Sequence, residues 1–156
     1  MKRDAIPQIE IDRLIEAHYA YEAADDVEGV LASLADEVEH DIVPSPFGGP
    51  VHDKASIRAF YEGLFANVEG RGITPLRRLY GESFVVDEVM WHGRIADGAP
   101  FGCPGRSGDL SFRLLHIFEF EGGRISRENA WMDVASIQRQ LGGGAGEGAG
   151  RQRPAS

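Results

Sequence analysis

An α+β fold is predicted by the division of the chain into a mainly helical first half and an extended second half. Up to Phe65 most apolar residues recur at three- and four-residue spacing, whereas from Ile73 to Met132 they alternate with polar ones. Gly122-Gly123 separates two of the alternating runs, as a tight hairpin turn would, because glycine accepts the positive φ such turns need. Helices followed by a run of antiparallel strands leave a cleft between sheet and helices.

The elements follow in order. Over residues 9–24, Ile11, Leu14, Ile15, His18, Tyr19 and Glu22 trace one helical stripe after a lead of residues 1–8. Asp25 and Asp26 can cap a short second helix with Val27, Val30, Leu31 and Leu34 toward the core. Residues 38–43 alternate as a strand, with Val38, His40 and Ile42 on one face and Glu39 and Asp41 on the other. Residues 44–50, rich in Pro and Gly, form a loop. Asp53 is the N-cap of a third helix whose buried stripe is Ile57, Phe60, Tyr61, Leu64 and Phe65, and Gly70 and Gly72 are expected to end it. Extended stretches follow near 73–82, 84–95, 110–121 and 124–132, with a Gly/Pro-rich loop over 97–108, and a short helix over 133–141 closes the domain. The domain thus spans 9–141. The tail, 142–156, is too poor in apolar side chains to offset its ordering entropy and is expected to be disordered.

With 156 residues, 42% hydrophobic and 26% charged, the chain suits one globular domain. Its net charge of −9 argues against binding nucleic acid or an anionic membrane, both of which call for clustered Lys and Arg. No run resembles a secretory signal or a membrane span, so a soluble cytoplasmic protein is expected. Cys103 is the only cysteine and excludes both an intramolecular disulfide and a cysteine-based zinc site; between Gly102 and Pro104 it reads as a loop residue. HxH, HExxH and CxxC are missing, and Glu39-His40-Asp41 alternates across a strand and cannot converge, so no metal and no cofactor are assigned. Asp25, Asp26 and Glu28 suit a helix N-terminus.

The residue with the most chemistry is His116. Leu110, Phe112, Leu114, His116, Phe118 and Phe120 share one strand face, so an imidazole points into an apolar interior. Trp91 offers a large apolar surface to a cleft ligand, and Trp131 suits an interface. His92 and His52 are expected to be solvated.

The segments DVEGVLASLADEV, ASIRAFYEGLF, GCPGRSG and HIFEFEGGRISRENAWMDVASIQRQLG, taken together, resemble the NTF2-like (cystatin-like) superfamily, particularly its SnoaL-like polyketide cyclases and the related ketosteroid isomerases. The resemblance implies a cone, a curved antiparallel sheet wrapped around the N-terminal helices. It places His116 where the cyclases carry a catalytic histidine and the isomerases a protonated aspartate that donates to an oxyanion. Tyr61 matches the isomerases' supporting tyrosine. The essential aspartate of the cyclases' last strand falls on Ala130, the isomerases' base falls near Ile42, and their oxyanion tyrosine falls on His18, so the familiar acids are replaced.

The acid/base set left by alternation is His116, His40 and Glu128, with His116 polarising a carbonyl oxygen and His40 or Glu128 as base. Glu128 reads equally as a surface carboxylate paired with Arg127 or Arg124, and a two-residue Gly-Gly turn would instead set Asn129 across from His116. The lining positions are His18, Tyr61, Trp91, Ile42, Leu114, Phe118, Ala130 and Met132, with His18 either bonded to Tyr61 or merely packed. Two functions stand side by side. One is a cofactor-free cyclase, isomerase or dehydratase acting on a hydrophobic small molecule such as a polyketide or terpenoid intermediate; the other is a non-catalytic binder of such a molecule. The resemblance also implies a homodimer through the outer sheet face, where Leu115, Ile117 and Trp131 leave an apolar patch.

Overall fold

A computed structural model describes residues 5–142. The elements are α1 (Gln8–Ala23), α2 (Val27–Ser33), β1 (Leu34–Val43), α3 (Lys54–Asn67), β2 (Val68–Tyr80), β3 (Phe84–Ile95), β4 (Gly108–Glu121), β5 (Arg124–Met132) and α4 (Val134–Gln140). Apart from Gly142, the expected disordered tail lies outside the described residues.

Short acidic side chains start three of the helices. Asp26, Asp53 and Asp133 each accept a backbone N–H three residues on, from Gly29, Ser56 and Ser136, at 2.9, 2.7 and 3.0 Å. Asp25, with φ 53°, makes the left-handed turn between α1 and α2. The buried stripe of α1 is Ile11, Leu14, Ile15 and His18.

α3 ends at Asn67, earlier than its glycines suggest, and the chain passes directly into β2. Gly70 and Gly72 lie inside that edge strand, where the pairing with β3 slips between them and Gly72 takes φ 139°. Ladder hydrogen bonds to β3 outweigh the local preference for a break, and glycine absorbs the irregularity.

The sheet has the order β1-β5-β4-β3-β2. β2 to β5 run antiparallel, but β1 pairs parallel with β5, so the expected antiparallel sheet is in fact mixed. Alternation reveals faces but not strand direction; after β1 the chain crosses by way of α3 to the far edge and then meanders back. Gly122 and Gly123, with φ 59° and 74°, form the two-residue turn and pair Glu121 with Arg124 and Phe120 with Ile125. The register then slips, leaving Ser126 unpaired, so Glu119 faces Arg127 and His116 faces Ala130. The tight turn and the Ala130 register therefore coexist, and the bulge sends Glu128 and Ala130 inward.

The main core lies between the helices and the concave sheet face and includes Ile11, Ile15, Leu34, Ile57, Phe118, Phe120 and Ile125. Burying each large apolar side chain there contributes about 1.5–3 kcal/mol. A second cluster, Ile95, Phe101, Cys103, Leu110, Ile137 and Leu141, seats α4 and the 97–108 loop, so Cys103 is a loop residue turned inward. Among the described residues no helix is long and apolar enough to cross a membrane.

Candidate functional site

Between α1, α3 and the concave face lies a cavity of about 430 Å³. Its walls are apolar: Phe60 and Phe65 from α3, Val89 and Trp91 from β3, Phe112 and Leu114 from β4, with Ile42, Ala130 and Met132. Tyr19, Glu22, Tyr61, His116 and Glu128 supply polar groups to it, and the exposed Asp25 and Arg71 stand at its rim.

His116 is 3% exposed and sits in the middle of β4, across from Asp87 on β3 and Ala130 on β5. Its ring stacks on Phe118, with centroids 4.9 Å apart. The Tyr19 hydroxyl, reaching in from α1, donates to Asp87 Oδ2 at 2.7 Å and lies 3.1 Å from His116 Nδ1. Asp87 Oδ1 accepts from Arg78 Nε at 2.7 Å, and Arg78 continues to Asp12 at 2.7 Å, where the Tyr80 hydroxyl also donates. Tyr19 has one proton, and the short bond to the carboxylate uses it. His116 Nδ1 must then donate its N–H to the Tyr19 oxygen, which leaves the lone pair on Nε2. Burial pushes the imidazole below its ordinary 6.5, and the more distant Glu128 and Glu22 do not reverse it. His116 is therefore a neutral imidazole of assigned tautomer. Burial, then Asp87, push the Tyr19 phenol far above its usual range, so it stays a hydroxyl.

Glu128 is 1% exposed and forms a second polar centre. The Tyr61 hydroxyl lies 3.1 and 3.2 Å from its two oxygens and 3.1 Å from Glu22 Oε1. His18 Nε2 is 3.4 Å from both Glu128 Oε1 and Glu22 Oε1, and His40 Nε2 is 3.8 Å from Glu128 Oε2. Burial opposes charge on His18, yet Glu128 and then Glu22 outweigh it and hold the imidazole up to about 10. Burial likewise opposes charge on Glu128, and His18, ahead of His40 and His116, pulls it down to about 2. His40 goes the other way, lowered by burial. His18, Glu22 and Glu128 present ligand-type atoms within 4.8 Å of one another, a convergence that local motif spacing does not reveal.

Of the positions expected at the site, His116, Glu128, Tyr61, Trp91, Ile42, Leu114, Ala130 and Met132 line the cavity. His18, His40 and Phe118 stand behind its wall. Phe118 is covered by α1, with His18 and Tyr19 rings 5.9 and 6.1 Å away, and both histidines turn toward Glu128. His18 does not bond Tyr61 but meets its ring edge-on; its Nδ1 lies 2.8 Å from Ser33 Oγ. Glu128 is no surface carboxylate, since Arg127 pairs with Glu39 and Glu119 and Arg124 with Asp36. His92 is half-buried between Thr74 and Ser111, at 2.8 and 2.7 Å, rather than solvated; His52 is exposed and Trp131 is 38% exposed on the outer face.

Sequence reasoning missed Asp87 and Arg78 and placed Tyr19 and Glu22 only in a helical stripe. A signal for Asp87 existed: it shares the inward parity of β3 with Val85 and Val89, a lone carboxylate in an apolar run.

A family model described as a SnoaL-like domain matches residues 15–128. No curated protein gives a significant sequence match. Among solved structures, TsrD from Streptomyces laurentii is similar with a TM-score of 0.70 and 23% identity, over 88% of this chain and 98% of that one. An LEH-like epoxide hydrolase from M. tuberculosis gives 0.65 and 18%, over 86% and 92%. An NTF2-like protein of unknown function from Burkholderia pseudomallei gives 0.65 and 23%, over 85% and 97%. These likenesses show the NTF2-like cone.

Proposed function

Because the chain belongs to the SnoaL-like family, we propose that it is a small-molecule enzyme that moves a proton on a hydrophobic carbonyl compound, such as a polyketide or terpenoid intermediate, in a cyclase, isomerase or dehydratase reaction. The observation that carries this reading is the neutral His116, its Nδ1 tied to Tyr19 and its ring lining a cavity with mostly apolar walls. Nε2 takes a proton from the carbon beside the carbonyl, the C–H electron pair moves into an enolate, and the imidazolium returns the proton at another position. As that cation forms, the Tyr19 oxygen receives the Nδ1 hydrogen bond while its own O–H stays on the Asp87 carboxylate behind it, the orienting role a carboxylate plays behind a catalytic histidine. The base is thus His116 itself, not a partner that His116 assists, and an alanine at position 130 leaves room for substrate across from it. The aromatic wall of Phe60, Phe65, Trp91 and Phe112 suits a ring system.

The test is a thermal-shift screen of aromatic, polycyclic and terpenoid carbonyl compounds, followed by mass spectrometry and chromatography of each hit after incubation. Conversion by the wild type that His116→Ala abolishes, with the fold retained, is the expected result. Ligands that stabilise the protein and are recovered intact would overturn the enzyme reading in favour of a binding protein, for which Ala130 in place of the cyclases' aspartate is the supporting observation.

A further inference from the structure

Among the described residues, two buried imidazole nitrogens have no hydrogen-bond partner: His18 Nε2, on a residue 0% exposed, and His40 Nε2, on a residue 2% exposed. Both face the same buried carboxylate, Glu128, with Glu22 beside it. Groups of this kind are ordinarily paired, because an unsatisfied buried polar atom costs roughly 1–3 kcal/mol.

A charge-assisted N–H···O bond closes to about 2.7–2.9 Å, yet His18 Nε2 stands 3.4 Å from each carboxylate. Two ligands about 2.0–2.2 Å from a shared tetrahedral ion lie roughly 3.3–3.6 Å apart. The His18 contacts match that edge, whereas His40 Nε2, 3.8 Å from Glu128 Oε2, faces the other oxygen of that carboxylate and stands outside the convergence of His18, Glu22 and Glu128.

The support around the donors has the same sense. Ser33 Oγ gives its proton to Val30 O at 2.5 Å, so it accepts from His18 Nδ1, and an ion that displaces the Nε2 proton meets a lone pair aimed at the carboxylates. Tyr61 bridges the oxygens of Glu22 and Glu128 from outside. A dication also balances both carboxylates, which a single proton on His18 does not.

We infer that His18 Nε2, Glu22 and Glu128 form a three-ligand binding site for a first-row divalent metal ion at the polar end of the cavity, with His40 against the second oxygen of Glu128. One imidazole with two carboxylates suits Zn²⁺ or Fe²⁺ rather than Ca²⁺ or Mg²⁺, which favour all-oxygen shells. Glu22 and Glu128 line the cavity, so the ion enters through it and keeps an open side toward it. In a cavity that also holds the His116 base, such an ion polarises a bound carbonyl oxygen; that consequence rests on the reaction proposed above, whereas the site does not.

The test is direct titration of the full chain after chelator treatment, with Zn²⁺ followed by calorimetry and Co²⁺ by its visible absorption, without substrate. The expected result is one ion per chain and the intense d–d bands of a low-coordinate nitrogen/oxygen site. Glu22→Gln and His18→Gln, each shown folded by circular dichroism, should weaken binding by more than the roughly 10- to 100-fold that loss of an outer-shell partner costs, while Asp36→Asn on the surface leaves it unchanged. Failure of the wild type to bind one ion, or equal binding by the two site variants, overturns the inference. Because no turnover is read, this result and the fate of the proposed reaction are separable.

Discussion

Replacing Tyr19 by Phe removes one oxygen and keeps the ring that packs 5.6 Å from His116 and 6.1 Å from Phe118. Two interactions go with it: the 2.7 Å bond to the buried Asp87 carboxylate and the 3.1 Å contact with His116 Nδ1. A hydrogen bond to a charged group contributes about 1.5–3 kcal/mol and a neutral one about 0.5–1.5, so the loss should be about 3 kcal/mol. For a chain of this size each kcal/mol lowers Tm by about 2–4 °C, which gives a fall of roughly 6–12 °C by calorimetry. The sharper readout is the tautomer of His116, measured by long-range ¹H–¹⁵N NMR on the imidazole. In the wild type Nδ1 should be protonated and Nε2 bare; in Tyr19→Phe, Nδ1 has lost its acceptor and the two tautomers should mix. A wild type with its proton on Nε2, or a variant that loses neither stability nor tautomer, refutes the orienting role of Tyr19 and with it the assignment of His116 as base.

Activity should rise with pH as His116 loses its proton. His116 is lowered by burial, with Tyr19, Asp87, Glu22, Glu128 and His18 around it, so the acid limb of kcat/KM should have its midpoint below 6.5, and a limb at or above that value contradicts the assignment. Phe118→Ala should cost about 3–5 kcal/mol in denaturant unfolding, since the ring is fully buried under α1 and beneath the His116 imidazole. If copies pair through Leu115, Ile117 and Trp131, Trp131→Arg should halve the mass seen by light scattering; an unchanged mass removes this face as the dimer contact.

Where contacts are local, the elements could be read from residue order. Asp26, Asp53 and Asp133 each cap the helix that follows within three residues. The alternation from Leu110 to Phe120 places His116 inward, and Gly122-Gly123 makes the turn that backbone sterics reserve for glycine. Family motifs added the cone and the register across from Ala130.

The rest depends on groups far apart in the chain. Strand direction left no trace in the side-chain pattern, so the parallel pairing of β1 with β5 was not legible, and the bulge at Ser126 that reconciles turn with register arises only when two strands meet. Tyr19 and Asp87 are 68 residues apart, and only the packing of α1 across β3 and β4 brings them together. The tautomer, on which the proposed role of His116 as base rests, follows from that one hydroxyl. Glu128 was ambiguous between surface and interior, and β1 and α1, by bringing His40 and His18 beside it, turned a residue with no distinguishing local signal into a buried polar centre. By itself the sequence determined which side chains point inward, because that is periodic and local; which of them meet, and in which protonation state, only the tertiary structure decided, because hydrogen bonding and charge act across space rather than along the chain.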